Sequence, residues 1–247
     1  MSSWDWQFFC NDTATGEAVA GCFGPGGKEQ TYLQWMLNAW GWTITVSVLG
    51  LLLALVVGSL IGIARTTPNK ALARFGEAWT ELFRNIPLLV QVFLWYHVLP
   101  ALIPALRSVP PSLLVICAIG FFTSARIGEQ VKAGINTLPR GQRYAGQALG
   151  MTLPQTYRYV LLPMAFRIVI PPITSESMNI VKNSAVAFAV SIPELAQFAQ
   201  QASEETSHFE EIFIPVTALY FVSAFLVNRV AKFIEAQVRI PGTAGAK

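Results

Sequence analysis

Arg84, Arg126, Glu129, Glu176 and Lys182 are charged side chains that fall inside, or at the ends of, otherwise apolar stretches of the sequence, and Asn179 stands three residues before the last of them. A charge placed at the centre of a membrane helix costs roughly 2.5–3.5 kcal/mol, so those that occur face a cavity or a partner. The chemistry these residues offer is recognition. A guanidinium is a planar fork of donors that matches a carboxylate. Arg126, with Lys182 and Asn179, is the candidate contact for an anionic substrate group, and Arg84 and Glu176 complete the candidate substrate-binding set. Two plainer roles compete with this one. Arg126 can be a helix-end cation paired with Glu129 or Glu176, and Arg84 and Glu129 can be long side chains snorkelling to a membrane boundary.

Covalent and metal chemistry find no support. His97 and His208 lie far apart, and no Cys/His/acid cluster has metal-ligand spacing. No Ser/His/Asp arrangement stands out, so the chain is not expected to be an enzyme. Gly27-Lys28 superficially suggests a phosphate loop, but Cys22 stands where its first Gly belongs and Glu29 replaces Ser/Thr. No cofactor is therefore expected in this chain. There is no basic patch with interleaved aromatics, which argues against nucleic acid as a partner.

The elements that must hold these residues are membrane helices. Of 247 residues, 53% are hydrophobic and 13% charged, against about 25% charged in soluble proteins. No charge occurs between Glu29 and Arg65, Arg84 and Arg107, Arg107 and Arg126, or Glu211 and Arg229. A crossing needs roughly 20 mostly apolar residues, and spans are read at 40–64, 85–106, 109–130, 164–192 and 212–232. The fold expected is all-α, an integral membrane protein with five transmembrane helices: a short outer segment over 1–39 and a transmembrane domain over 40–247. Arg65, Lys70, Arg74, Lys132, Arg140, Arg143, Arg158, Arg167, Arg229, Lys232, Arg239 and Lys247 all fall on one side, or flank it. The other side holds Lys28 and Arg107 among many acids. Basic residues resist translocation, which puts the N-terminus outside and the C-terminus in the cytoplasm.

Local signals refine this plan. Gly50, Gly58 and Gly62 in the first span are small residues at a spacing that lets another helix approach closely. Trp79, Trp95 and Tyr96 read as interfacial aromatics at the ends of the second span, or as packing. Cys10 and Cys22 can pair in an oxidising compartment or remain free thiols. The fourth span is too long for one straight crossing and carries Pro171-Pro172 and Lys182-Asn183-Ser184, so a broken helix beside a pathway is expected. Residues 193–211 read as a short outer helix and loop. Residues 139–163 form a polar cytoplasmic loop, read as a short helix, a turn at Gly150 and a second short helix ending at Pro163, able to dock on a cytoplasmic partner.

That loop carries a resemblance. Tyr144-Ala145-Gly146, then Gly150, Val160 and Leu162-Pro163, are spaced as in the cytoplasmic loop of ABC importer permeases, and Gly141-Gln142 matches the polar amino-acid branch. The sequence departs from the family pattern at Tyr144, where the family has Glu, and at Gly146, where it has Ala. Glu81 to Gln91 resembles the second-helix motif of amino-acid permeases, and Pro171-Pro172, Asn179 and Lys182-Asn183-Ser184 resemble the family's broken fourth helix. Within the family the chain is most similar to permeases of glutamate/aspartate importers.

The resemblance implies a type I ABC importer permease fold in a bacterial inner membrane. It also implies a second related permease, a cytoplasmic ATPase dimer that binds ATP and magnesium, and a periplasmic amino-acid-binding protein. Tyr144, Ala145, Gly146, Ala148, Leu149, Gly150 and Pro163 become the expected ATPase-coupling residues. General amino-acid permeases tend to have an aromatic where Arg126 stands, so an extra cation there points to glutamate or aspartate as substrate. Glutamine, a basic amino acid, and an ion-coupled carrier using Glu129 and Glu176 are the alternatives.

Overall fold

The computed structural model describes residues 4–23 and 31–238. Lys28, Glu29, Arg239 and Lys247, which enter the charge asymmetry, and the Gly27-Lys28 pair lie outside them. Among the described residues the chain is helical: α1 (Tyr32–Ala64), α2 (Lys70–Asn85), α3 (Leu88–Leu102), α4 (Pro111–Asn136), α5 (Arg140–Ala148), α6 (Leu162–Asn183), α7 (Leu195–Thr206) and α8 (Phe209–Val238). Among the described residues, extended pairing is confined to isolated bridges at Asn11–Ala18 and Asp12–Thr31.

The first helix begins at Tyr32 because Thr31 caps it. Its hydroxyl accepts from the Gln34 amide at 3.3 Å, and the Gln34 side chain accepts from the Thr31 amide at 3.2 Å. At 1.5 Å per residue α1 is about 50 Å long, well beyond about 30 Å of hydrocarbon, so part of it extends past the apolar layer. The N-terminal segment folds onto its first turns. Cys10 and Cys22 are bonded to each other with Cα atoms 4.1 Å apart. Phe8 and Phe9 pack with Tyr32, Phe198 and Ile212 in one apolar cluster. Asp12 accepts from the Ala14 and Thr15 amides at 2.8 Å each, and these donors hold its carboxyl below the usual value.

Helices α1 and α4 pack along their length through small residues. Gly50, Ala54, Gly58 and Gly62 fall four apart on α1, and Gly120, Ser124 and Gly128 fall four apart on α4. A Cβ on Gly58 would lie 2.7 Å from the Ser124 carbonyl oxygen, and one on Gly62 would lie 2.8 Å from that of Gly128. Leu52, Val56 and Leu60 on the opposite face of α1 are exposed. The large side chains thus face lipid and the small ones face protein, as expected where packing rather than water drives association. Helix α6 closes a three-helix core, with Val169 and Ala165 packed against Ile127, Val131 and Ile135.

Two of the spans expected from the sequence, the second and the fourth, take a different form. Among the described residues three helices, α1, α4 and α8, are long and apolar enough to cross a membrane by length and composition alone, and the bent pair α2–α3 would make a fourth if taken as one span. The proposed second span does not run from residue 85: Arg84 and Asn85 end the amphipathic helix α2, Ile86 and Pro87 break it, and α3 leaves at a bend of 103°. Proline at 87 cannot continue α2 and biases Ile86 to its extended conformation. Trp79 accordingly sits in packing, its indole donating to the Ser124 hydroxyl at 3.1 Å and its ring 5.1 Å from that of Phe121. Helix α6 passes through Pro171 and Pro172 unbroken. Both prolines are exposed, as are Arg167 and Ile168, whose carbonyls lose their donors. The break comes later, where α6 ends at Asn183 and a 3-10 segment runs over Ser184–Val190 to the left-handed Ser191. Nor does the second half of the loop end at Pro163: a π turn at Tyr157–Leu161 leads straight into α6, with Pro163 in its first turn. The wider turn accommodates the missing proline donor.

Replacing Gly58 with Leu should lower thermal stability by about 1–3 kcal/mol through forced separation of α1 and α4. Fluorescence-detected thermal melting of the detergent-purified protein checks this, with Leu52→Ala on the exposed face as the near-neutral comparison.

Candidate functional site

Helix α1 delivers Arg65 to its C-terminal end, where the side chain folds over Gly76. A Cβ on Gly76 would lie 2.6 Å from the Arg65 Cγ, so only glycine leaves room for the stem. The buried guanidinium, 2% exposed, then meets two further helices, α2 and α4. It donates to both Glu77 oxygens at 2.9 and 3.2 Å, to Glu129 Oε1 at 2.8 Å and to the Thr80 hydroxyl at 3.2 Å. Hydrogen bonding by Arg65 holds the Glu77 carboxyl below its ordinary value. That depressed value makes the contact stabilising above the normal carboxylate range and weakens it as pH falls through the depressed value. Lys132 approaches Glu77 at 3.4 Å from α4, and Arg84 approaches Glu129 at 3.2 Å from the last turn of α2. One buried arginine thus pins α1, α2 and α4 together.

One side of this knot opens into a cavity of about 540 Å³ lined by Arg84, Phe122, Arg126, Glu129, Gln130 and Glu176. Phe122, Arg126, Glu129 and Gln130 share one face of α4 because they are spaced by three or four residues. Across the cavity the buried Glu176 of α6 accepts from Arg126 Nε at 2.9 Å and from the Gln130 amide at 3.3 Å. Arg126 is therefore paired, but through Nε. Among the described residues its two terminal nitrogens have no acceptor, and the side chain is 45% exposed. A fork of donors still faces the opening.

Of the residues singled out from the sequence, Arg84, Arg126 and Glu176 come together, and Glu129 with them. Arg84 is 52% exposed at the cavity edge and paired with Glu129. Asn179 and Lys182 do not line this cavity. Asn179 sits one turn beyond Glu176 on a neighbouring face of α6. Lys182, six residues on, points about 240° around the helix and is exposed. Sequence reasoning missed Gln130 and the hub role of Arg65. The position of Gln130 one turn after Arg126 was a usable signal. Nothing local marks Arg65, because its partners lie 12 and 64 residues away. A second cavity of about 530 Å³, at the outer end of α1, is lined by Trp35, Asn38, Trp42, Thr45 and Pro193 among others and carries no charge. An anion would find neutral donors such as Asn38 and Thr45 there but no cation.

The segment after α4 has its own construction. Helix α5 ends in a paired motif: the Met151 amide bonds to the Gly146 carbonyl at 3.1 Å and the Gly150 amide to that of Gln147 at 2.9 Å. This needs a positive φ, which Gly150 supplies at 77°. Gln155 then accepts from the Thr152 amide at 2.8 Å, starting the next helical turn. Gly146 is buried, and a Cβ there would lie 3.1 Å from the Thr156 methyl. The departure from Ala at this position fits that tight contact. Tyr157 ties the segment to α1 by donating to the Thr66 carbonyl at 2.7 Å. Tyr144, Ala145, Ala148 and Leu149 lie exposed on the other face, Leu149 at 83%, and Pro163 is exposed beyond the π turn.

Residues 50–240 match the family model described as the binding-protein-dependent transport system inner membrane component. The chain belongs to that family. It is a permease subunit, and in this family ATP hydrolysis lies with a separate partner. Over 254 aligned residues it is 39% identical to the glutamate/aspartate import permease protein GltJ of Escherichia coli K12, covering 99% of this chain and 98% of that one. It is 32% identical over 193 residues to the probable glutamine ABC transporter permease protein GlnM of Bacillus subtilis 168, covering 78% and 88%. Among solved structures, an amino acid ABC transporter determined with histidines superposes at a TM-score of 0.72 with 25% identity, covering 83% of this chain and 95% of that one. The methionine transporter MetNI in an inward-facing form superposes at 0.73 with 21% identity, over 84% and 98%.

Arg65→Ala should destabilise the protein by about 1–3 kcal/mol, less than a fully buried pair because Glu77 and Glu129 are partly solvated. Arg65→Lys should recover only part of this, since an ammonium cannot fork onto Glu77. Thermal melting of both variants in detergent tests the order.

Proposed function

We propose that the chain forms one half of the translocation path of an ATP-driven importer for acidic amino acids, glutamate or aspartate, with the Arg84–Arg126–Glu129–Glu176 cavity as its substrate contact. The observation that carries this reading is the open terminal fork of Arg126 beside a buried counter-charge. The cavity holds two cations and two anions, and an acidic amino acid brings one cation and two carboxylates. The Arg126 fork takes a substrate carboxylate bidentately while Glu176 keeps the guanidinium oriented. Glu129 and Glu176 remain able to accept the substrate ammonium. The Escherichia coli relative's named substrates support the choice. A neutral polar amino acid such as glutamine is the second reading, favoured by Gln130 and by arginines that are already paired.

In this reading the chain crosses the inner membrane five times, with α3 and α6 as the second and fourth crossings and the N-terminus in the periplasm. A second related permease completes the path, a periplasmic binding protein delivers substrate, and a cytoplasmic ATPase dimer supplies the work. The ATPase meets the exposed face of α5. Gly150 fixes the angle between α5 and the helical turn leading to α6, and Tyr157 links that turn to α1, so movement of α5 is transmitted to helices that line the cavity.

Arg126→Gln should reduce uptake of radiolabelled glutamate by reconstituted vesicles roughly ten- to a hundred-fold, the loss of one charge-assisted contact. Unchanged uptake in a correctly assembled complex would refute the assignment, and equal competition by glutamine would favour the second reading. Replacing Gly150 with Val forces a β-branched residue to positive φ, at a cost of about 1–2 kcal/mol. That variant should assemble yet hydrolyse ATP with uptake reduced several-fold. A photocrosslinker at Leu149 should capture the ATPase, and capture of nothing would contradict the docking role.

A further inference from the structure

A third cavity, of about 420 Å³, lies where the ends of α1 and α4 meet the coupling segment. Its polar side is formed by Thr66, Asn136, Arg140, Arg143 and Tyr157, and its apolar side includes Leu138 and Leu161. Among the described residues neither Arg140 nor Arg143 has an ion-pair or hydrogen-bond partner through its side chain, whereas Arg84 and Arg126 in the substrate cavity are both paired. Arg143 is half-buried and Arg140 exposed. The depth of the cavity follows from the helices around it. The charge-free run of α1 ends at Ala64, and α4, whose charges begin at Arg126, ends at Asn136. A crossing of about 30 Å takes roughly 20 residues, so Thr66 and Asn136 stand just past the hydrocarbon, at headgroup level. The substrate cavity is separate, lined by other residues of α2, α4 and α6.

We propose that this cavity binds the phosphate group of an anionic phospholipid, with Arg140 and Arg143 on the phosphate and Leu138 and Leu161 against the glycerol and the start of the acyl chains. Basic pockets between membrane helices are suited to such headgroups. The bound lipid lies between the C-terminal end of α4 and α5, the joint that coupling must move. The site requires only that the ends of α1 and α4 reach a membrane surface, so it stands whether or not the substrate assignment does.

The purified, assembled transporter is tested in nanodiscs of phosphatidylcholine with or without phosphatidylglycerol, reading retained lipid by native mass spectrometry after extraction. Wild type should retain phosphatidylglycerol and not phosphatidylcholine. Each arginine near a charged headgroup contributes a factor of roughly five, so R140Q should weaken retention about five-fold and R140Q/R143Q about thirty-fold. R167Q, at an exposed arginine outside the cavity, should change nothing. Because Arg140 is exposed, the single variant remains informative if the double variant fails to fold. Equal retention of both lipids, or displacement of the lipid by inorganic phosphate alone, would overturn the proposal. So would loss of the ATPase from the R140Q complex, which would make these arginines protein contacts.

Discussion

The arrangement of charges toward the C-terminal ends of α1 and α4 depends on how closely these two helices approach. Their backbones come within reach of each other's Cβ positions at Gly58 and Gly62 on one side and Gly128 on the other. Lipid tails are as apolar as leucine, so nothing like the hydrophobic effect in water presses these helices together; dispersion between close surfaces must do it. The same approach sets the register that places Arg65, at the end of α1, beside Glu129 of α4.

From that register follows a division of labour among the charges. Arg65 is buried and bonded through all three nitrogens to two carboxylates and a hydroxyl, so it holds structure. Arg84 and Arg126 are half-exposed and each bound through only part of the guanidinium. Glu176 is the converse, a buried anion held by Arg126 and Gln130 from the neighbouring helix. Ion pairs in such a setting orient groups more than they stabilise the fold.

Much of the plan was legible in the sequence because membrane insertion writes it in composition. Charge-free runs marked α1, α4 and α8, and glycine spacing on α1 named the face that packs. The cavity was legible in part, since charges inside apolar runs are conspicuous, and Arg84, Arg126 and Glu176 did converge. The rest was hidden for physical reasons. The bend at Ile86-Pro87 separates an amphipathic helix from an apolar one, and an uninterrupted lack of charge from Asn85 onward masked the boundary. Of the two signals for a broken fourth helix, Pro171-Pro172 misled because exposed carbonyls tolerate lost donors, while Lys182-Asn183-Ser184 fell where the helix does end. Lys182 looked like a site residue by proximity in sequence, and helical phase carried it away. Arg65 looked like a topology signal because its partners are brought to it by tertiary packing.

The segment after α4 and the cavity are joined by short, stiff connections: the glycine turn at 150, the Tyr157–Thr66 bond and the π turn entering α6. In the proposed reading, a motor acting on α5 would act on the helices that carry Glu176 and Arg126. The most direct test of that account is the position of bound glutamate in a high-resolution structure of the assembled transporter, trapped before release. The account predicts a substrate carboxylate within hydrogen-bond distance of the terminal nitrogens of Arg126. Density in the uncharged outer cavity beside Trp35 and Trp42, with the Arg126 cavity empty, would contradict it.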